Sequence, residues 1–507
     1  MADAIDLVER SLADDTRETF DQRVDDQAVA LAEALRAGRL DSPGFGLGLE
    51  LEIYAVDADG RLTSVPDDVF ETACEREFGR HNAELNTDPD PFDDAGIVAQ
   101  AEQLRRRYRR AQEAAGENGL EFVLDAMWTV PPAAGTDAYL SDVRERDGYT
   151  VAENMTPSPR YRAIDNDVIA HAGGTVTLSV PGVDREFPSM LFESLTSSIQ
   201  PHVQVPDVGT FPRYYNTAIR TLGPVLALAT NSPLLPPDLY DVDDPFALLE
   251  KTYHELRIPV FEQSIDDAWE KVRFPDGLER TVDALEYLVD DPTCAPFLKE
   301  WLSDGERETF GERFWELDHK RGTYWRWLRA VLGGQPIGEG DAWSMRIEYR
   351  PLPTQPTIVD NVGVQCLVAG LVRGLVDADH PLATLEADAA ERCFYDVVTD
   401  GLEADLAWIT ADGTWTSDPD TIYEELFDYA RRGLRAAGAS PETIAAYLEP
   451  IEQRWHEETT PSAWKLELVR SRLERGESFA EAVRGMQAEY RTRAGTDEPF
   501  VQWPEGR

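Results

Sequence analysis

The chain has 507 residues, 96 of them acidic and 48 basic, and a formal net charge of −48 at pH 7. This excess of carboxylates argues against a nucleic-acid partner, because phosphate binding needs clustered positive charge, and a hydrophobic content of 42% with 12 Trp argues against disorder. Only five of the basic residues are lysine. Such a composition predicts a surface adapted to very high salt, where screening weakens the repulsion between carboxylates.

The length suggests roughly three domains. The four cysteines, Cys74, Cys294, Cys366 and Cys393, are widely spaced and include no Cys-x-x-Cys pair, so they predict neither a zinc ribbon nor a redox centre. The first residues lack the pattern of a signal peptide, and no run of about 18 apolar residues predicts a membrane span. We therefore expect a soluble, cytoplasmic enzyme with reduced thiols and no membrane partner.

The first predicted elements are a helical segment and a strand. Residues 5–38 are rich in Ala, Leu, Glu and Arg at helical spacing. Residues 46–54 then alternate strictly, with apolar side chains on one face of a strand and Glu50 and Glu52 on the other. Such alternation is also what an ordinary half-buried strand shows, but three later stretches repeat it.

The second alternating stretch places Asn82, Glu84 and Asn86 on one strand face. A helix with a buried apolar stripe is predicted for residues 94–116. The segment 130–167 is long and rich in Pro, and loops of this length in a compact domain are usually either functional or mobile.

The third stretch places Gln200, His202 and Gln204 on one face, and Pro201 predicts an edge strand or a bulge there. A strong helix follows. Residues 238–340 are less legible, with turns rich in Asp and Pro and short helical pieces.

The fourth stretch places Arg346, Glu348 and Arg350 on one face. The aromatic and basic run at 319–327 is expected to be a core helix, since nothing else in the chain is basic enough for nucleic acid. From residue 379 onward the pattern predicts helices only.

These patterns divide the chain into three predicted parts. Residues 1–44 form an N-terminal helical segment, and residues 45–378 form a catalytic domain in which 238–340 is a candidate insertion. Residues 379–507 form a helical C-terminal domain or extension.

The four strand faces together offer mainly oxygen ligands, namely Glu50, Glu52, Glu84 and Glu348, with His202 as a single imidazole. Carboxylates gathered at one site repel each other unless a cation neutralises them. Hard oxygen ligands suit Mg²⁺ or Mn²⁺ better than zinc. Magnesium held by carboxylates, with arginine nearby, is typical of phosphoryl transfer from a nucleotide.

Other catalytic signatures are missing from the sequence. There is no G-x-x-x-x-G-K-[ST], no complete G-x-G-x-x-G, no H-E-x-x-H and no G-x-S-x-G. A glycosidase pair formed by Glu50 and Glu348 remains open, although the arginines beside Glu348 argue against it.

Five motifs in order resemble the glutamate–cysteine ligase or carboxylate–amine ligase family of the glutamine-synthetase-like superfamily. The sequence departs from the family pattern at two points. His202-Val-Gln204-Val stands where the family has His-Val-His-Val, and the Gly-Thr-His-Pro that the family has after the strand at 120–127 is missing. The motifs are G-L-E-L-E-I-Y-A-V-D (48–57), A-E-L-N-T-D-P (83–89), S-P-R-Y-R (158–162), I-Q-P-H-V-Q-V (199–205) and R-I-E-Y-R-P (346–351).

The resemblance implies an α+β fold in which a curved, open antiparallel sheet forms a funnel with helices packed outside, followed by a helical C-terminal extension. It also implies that ATP phosphorylates the side-chain carboxylate of glutamate or a similar acid, and that an amine, cysteine in the best-known members, attacks the acyl phosphate. The substrates would be small molecules, and a homodimer is compatible with this assignment.

The resemblance further implies residue roles. Metal binding falls to Glu50, Glu52, Glu84, His202 and Glu348. Binding of ATP or of the substrate carboxylate falls to Arg350, Arg160, Arg162 and Gln204, and catalysis to Arg350, Arg346 and Glu348. Two alternatives remain, a ligase for a different acid and amine, and a protein of this fold that binds ATP and Mg²⁺ without turnover.

Overall fold

The computed structural model describes residues 4–265, 269–302, 309–334, 337 and 343–503. Its largest sheet is antiparallel, and helices before, between and after the strands pack around it. The strands are β1 (Gly46–Val56), β2 (Glu75–Arg76), β3 (Asn82–Asn86), β4 (Asp90–Pro91), β5 (Glu121–Val123), β6 (Val143–Arg146), β7 (Tyr149–Ala152), β8 (Val176–Val180), β9 (Val183–Phe187), β10 (Ile199–Gln204), β11 (Leu328–Leu332), β12 (Met345–Tyr349), β13 (Trp408–Ile409) and β14 (Trp415–Thr416).

The α-helices vary from one turn to six, and short 3-10 turns connect several of them. They are α1 (Ala4–Ser11), α2 (Asp14–Arg36), α3 (Asp67–Thr72), α4 (Asp94–Glu117), α5 (Thr136–Leu140), α6 (Pro159–His171), α7 (Phe211–Ala229), α8 (Pro245–Leu249), α9 (Arg257–Ser264), α10 (Asp283–Asp290), α11 (Lys299–Leu302), α12 (Phe310–Arg313), α13 (Trp315–Arg321), α14 (Ile358–Asp377), α15 (Ala387–Asp400), α16 (Pro419–Ala436), α17 (Pro441–Tyr447), α18 (Glu449–His456), α19 (Pro461–Glu474) and α20 (Phe479–Arg493).

The main sheet has the order β11-β12-β10-β1-β3-β2, and β4 and β5 pair with other parts of β1. Strand β1 is therefore central in the sheet, and its strict alternation correctly predicted a strand at 46–54. Its apolar residues are almost completely buried, and α4 and α14 pack against the sheet. By length and composition, helix α14 could cross a membrane. However, 94% of its most apolar 18-residue stretch is buried inside the molecule.

Helices α15, α16, α17 and α18 pack into the same hydrophobic core as the sheet, whereas α19 and α20 form a second apolar cluster with Phe500 and Trp503. Helices α14 and α16 approach each other closely, since a β-carbon on Gly370 would lie 2.7 Å from the carbonyl oxygen of Ala430. The buried Arg454 of α18 donates to Asp360 at 2.8 Å and to the carbonyl of Leu228 at 2.9 Å. The expectation of helices alone is wrong at one place, because β13 and β14 form a hairpin. The funnel shape and the three-part division of the chain stay predictions.

Two local expectations also differ from the structure. The segment 130–167 contains α5, the β6–β7 hairpin and the first half of α6, so Arg160 and Arg162 lie on a helix and not on a loop. Ser158 and Pro159 start that helix, which is the usual order of a cap residue and a first-turn proline.

The aromatic run at 319–327 is not a single helix. Helix α13 ends at Arg321, and the chain then extends through Trp327 into β11. Pro201 likewise lies in an internal strand, because β10 pairs with both β1 and β12. The ladder with β12 begins one residue later, at His202, so the missing N–H of proline is not needed there.

Three of the five lysines are buried. Lys271, Lys320 and Lys465 are 1%, 4% and 1% exposed. The ammonium of Lys465 lies 2.5 Å from a carboxylate oxygen of Asp125 and 2.7 Å from the carbonyl of Asn231. Two of the five lysines, Lys271 and Lys465, therefore form interior ion pairs, and buried Lys320 donates to the carbonyl of Val289.

Candidate active site

The polar faces of five strands meet on one side of the main sheet. The strand register aligns their side chains in rows, with the central strand β1 contributing to each. Read across the strands, the rows are Glu84 and Glu52; Asn86, Glu50 and Gln200; Gly48, His202, Glu348 and Arg329; and Gly46, Gln204 and Arg346.

Two cavities open on this face, and Glu50 lines both. The glycine cavity, of about 220 Å³, and the acidic cavity, of about 230 Å³, are each large enough for part of a small ligand. The glycine cavity is lined by Gly46, Gly48, Glu50, Asn86, His202, Gln204 and Arg346, among others. The acidic cavity is lined by Glu50, Glu52, Glu77, Glu84, Glu193, Arg160, Tyr161, Gly322, Trp325, Arg329 and Arg350, among others.

Glu348 is held between two arginines. Nη2 of Arg329 donates to Oε1 of Glu348 at 2.7 Å, and Nε of Arg329 donates to Oε2 at 3.1 Å. Arg350 also donates to Oε1. Burial opposes ionisation of Glu348, but these two guanidinium groups outweigh it and hold the pKa well below its usual range. Glu348 is therefore an anion that orients Arg329 and Arg350. Sequence reasoning missed Arg329 because it lies in the less legible segment 238–340, directly after the run at 319–327 that was expected to be a helix.

Glu50, His202 and Arg346 form a chain of contacts along the glycine cavity, and Glu50 also lines the acidic cavity. The Nε2 atom of His202 lies 3.1 Å from Oε1 of Glu50, and Nε of Arg346 donates to Nδ1 of His202 at 2.9 Å. Because Nδ1 accepts this bond, the ring proton must sit on Nε2 and face Glu50. Burial raises the pKa of Glu50, but the facing imidazole outweighs this effect and the net pKa is lowered.

Glu52 and Glu84 lie in the same row and accept hydrogen bonds from neutral donors. Glu52 accepts from the backbone N–H of Ser198 at 2.6 Å and from Gln200 at 3.2 Å, and Glu84 accepts from Asn86 at 2.7 Å. Burial raises the pKa of both carboxyls. Repulsion from nearby carboxylates raises the pKa of Glu84 further.

Two carboxylates that sequence reasoning missed, Glu77 and Glu193, also line the acidic cavity. Burial raises the pKa of Glu77 to about 8, and repulsion from Glu52 adds to this effect. Burial and the charge of Glu52 likewise raise the pKa of Glu193 well above its usual value. Glu193 had a visible signal, since it is a lone acid in the apolar run Met-Leu-Phe-Glu-Ser-Leu; Glu77 follows Glu75-Arg76 without any periodicity.

The ligand-binding candidates separate in the structure. Arg160 lies in the acidic cavity, whereas Arg162 lines a different pocket beside Arg144 and Arg146 on the β6–β7 hairpin. The structure therefore does not bring Arg162 to the site. Gln204 lines the glycine cavity and donates to the carbonyl of Gly44 at 3.0 Å.

The donor chemistry of the acidic cavity fits a hard divalent cation. Buried carboxylates with raised pKa values lack the positive charge that would let them ionise together, and oxygen ligands suit Mg²⁺ or Mn²⁺. In the described ranges, however, no three side chains of Asp, Glu, His or Cys stand close enough to hold an ion as they are now oriented. Glu50 faces His202 and Glu52 accepts from the backbone N–H of Ser198, so these two side chains would have to turn to reach an ion together.

Comparison with known proteins places the chain in a family of ligases. A model of the family described as Glutamate-cysteine ligase family 2 (GCS2) matches residues 46–493. The chain belongs to that family, which confirms the resemblance read from the five motifs and extends the match beyond residue 378. A search of curated protein sequences gives no match.

Two solved structures are similar in fold. A glutamate–cysteine ligase from Francisella tularensis, in complex with AMP, is 14% identical with a TM-score of 0.50 and covers 91% of each chain. A bifunctional glutathione synthetase from Pasteurella multocida is 14% identical with a TM-score of 0.51, covering 92% of this chain and 54% of its own. At this identity the likeness shows the fold alone, a mixed fold of helices around an antiparallel sheet.

Proposed function

We propose that the protein is an ATP-dependent ligase that joins the side-chain carboxylate of glutamate to the amine of cysteine through an acyl phosphate. The observation that carries the proposal is the meeting of two cavities at Glu50, with paired arginines on the same face. A ligase of this kind must bring a nucleotide and an acid together, and two adjoining cavities provide that arrangement.

The glycine cavity suits the nucleotide. Gly48 leaves the surface of β1 open, since a β-carbon there would meet only Cβ of His202 at 3.6 Å, so a flat base can approach the strand at this point. The side chain of Ile337 covers the strand at Gly46 and would bound the base on that side. Arg346, which lines the glycine cavity, would then face the phosphates, because guanidinium binds phosphate oxygens in a bidentate fashion. The acidic cavity, with Arg160 and Arg350, suits the amino acid substrates.

In the first step, an oxygen of the substrate carboxylate attacks the γ-phosphorus of ATP, and the bond to the β-phosphate oxygen breaks to release ADP. In the second step, the amine nitrogen attacks the acyl carbon, phosphate leaves with the electron pair of the C–O bond, and the amine loses a proton. Nucleophile and leaving group both come from substrates, so the chain supplies positioning and charge. Arg350, oriented by Glu348, would stabilise the negative charge on the phosphoryl group in flight.

Glu50, Glu52, Glu77, Glu84 and Glu193 are the residues best placed to hold Mg²⁺, with Mn²⁺ as an alternative. The metal would neutralise phosphate charge and screen the carboxylates from one another. His202 and Glu348 were also predicted as ligands, but in this structure they face Glu50 and the two arginines. Their role as ligands stays a prediction.

The test is release of ADP in molar KCl with ATP, Mg²⁺, glutamate and a panel of amines that includes cysteine. We expect ADP and a dipeptide product with glutamate and cysteine, and a loss of about 100-fold or more in Glu348→Gln, because the paired arginines lose their counter-charge. Glu75→Gln, an exposed carboxylate on β2, is the matched control. Turnover with another amine would support the ligase reaction and replace cysteine as the substrate. ATP binding without turnover would favour the alternative of a protein that binds ATP and Mg²⁺ without catalysis.

A further inference from the structure

Arg160 is a half-buried cation that has no ion-pair partner among the residues that the structure describes. Its guanidinium lines the acidic cavity, its Nε is buried with no hydrogen-bond partner, and no ion pair to this side chain occurs in the described part of the chain. Burial lowers the pKa of Arg160, and the neighbouring guanidinium of Arg321 lowers it further. Since a partly buried charge without an ion pair is costly, this arrangement indicates a guanidinium that binds a ligand.

Gly322 provides the surface on which this guanidinium lies. The residue ends α13 with φ −64°, an ordinary helical value, so conformational freedom does not explain the glycine. A β-carbon at position 322 would instead lie 2.9 Å from Cζ of Arg160 and 3.2 Å from its Nη1. Any side chain there would push the guanidinium out of its place, and because Arg160 is long and flexible, the fold would tolerate the shift.

We propose that Gly322 is a positioning residue whose missing side chain seats Arg160 in the acidic cavity, where the guanidinium binds the α-carboxylate of an amino acid substrate. The inference rests on the proposed ligase function and deepens it by assigning substrate selection. The α-carboxylate belongs either to the acid or to the amine substrate, and both carry the same chemistry for a guanidinium.

The test compares wild type with Gly322→Ala on two matched substrate pairs. Glutamate is compared with 4-aminobutanoate, which keeps the reacting carboxylate and lacks the α-carboxylate. Cysteine is compared with cysteamine, which keeps the amine and lacks the carboxylate. Gly116→Ala is the control, because Gly116 is an exposed glycine of α4, and a β-carbon added to it would meet no atom of the described residues within 4 Å.

We expect Gly322→Ala to lower kcat/KM for the carboxylate-bearing member of one pair about 10-fold or more, because a charge-assisted bidentate contact is lost. The analogue without the carboxylate should be unchanged, so the discrimination within that pair collapses and identifies which substrate Arg160 holds. Arg160→Gln should give the same pattern. If Gly322→Ala has a lowered melting temperature, the comparison is made with Arg160→Gln instead.

Three outcomes separate the inference from the function on which it rests. If wild type turns over and Gly322→Ala matches it on all four substrates, Gly322 does not seat Arg160 and the ligase stands. If Gly322→Ala and Arg160→Gln both lose activity equally on all four substrates, the effect is structural and the inference is overturned. Absence of turnover in wild type overturns the ligase itself.

Discussion

The raised pKa of Glu77 predicts that the protein, without divalent cations, becomes less stable as pH rises. The carboxyl titrates near 4.5 when unfolded and at about 8 when folded. Between these values the folded state holds a proton that the unfolded state lacks, so stability is fully present below the lower value and is lost progressively up to the higher one. The pKa values of Glu52, Glu84 and Glu193 shift in the same direction.

The magnitude follows from the shift. Each pKa unit corresponds to about 1.36 kcal/mol, so Glu77 alone accounts for at most about 4 kcal/mol between pH 5 and pH 8. Water entering the open acidic cavity would reduce this figure. In Glu77→Gln the backbone N–H of Phe78, which donates to Glu77 at 2.9 Å, keeps an acceptor, while the charge is gone.

The assay is urea unfolding in molar KCl with a chelator, followed by tryptophan fluorescence at about pH 5 and about pH 8. We expect wild type to lose stability across this interval and Glu77→Gln to lose clearly less, so that the variant is the more stable protein at the higher pH. Glu75→Gln, which alters an exposed carboxylate two residues away, should behave as wild type. The same pH dependence in Glu77→Gln and wild type would refute the reasoning.

Other predictions rest on charge and burial. Adding Mg²⁺ at about pH 8 should raise the melting temperature of wild type more than that of Glu77→Gln, because the metal replaces the protons of the carboxylates; equal shifts would exclude Glu77 from the ion site. Lys465→Met should destabilise the fold by about 3–5 kcal/mol, because it strands buried Asp125, while Lys251→Met at an exposed position should not; urea unfolding checks both. Lowering KCl from molar to millimolar should unfold the chain as carboxylate repulsion grows, and unchanged circular dichroism would contradict the prediction of a salt-adapted surface.

The polar face of the sheet was predictable because each of its four alternating strands shows its own period of two. Glu50 and Glu52 face away from the leucines of β1 in the structure as in the sequence, and the register brings Glu348 beside His202. What the sequence does not encode locally is which residues from other elements close the site. Glu77 and Glu193 come from segments outside the regular strands, so no periodicity points to them.

Partner identity was the other limit. Arg329 follows two tryptophans and an arginine, a composition that suits a helix as well as a strand, and only the pairing of β11 with β12 shows that it reaches Glu348. The close packing of α14 on α16 does have a signal in the sequence. Gly370 lies inside a helix, where glycine costs about 1 kcal/mol of stability, so its presence there indicates close packing against a neighbour. The sequence does not show which helix that neighbour is.

The burial of lysine has a consequence for chemical labelling. With Lys271, Lys320 and Lys465 enclosed, an amine-reactive reagent meets few side-chain targets on the native protein. Unfolding would uncover these three amines together, at widely separated points of the chain. Acylation of each lysine, measured by mass spectrometry, would therefore report where the core opens, with little labelling of the native protein. A lysine-rich surface would obscure this signal.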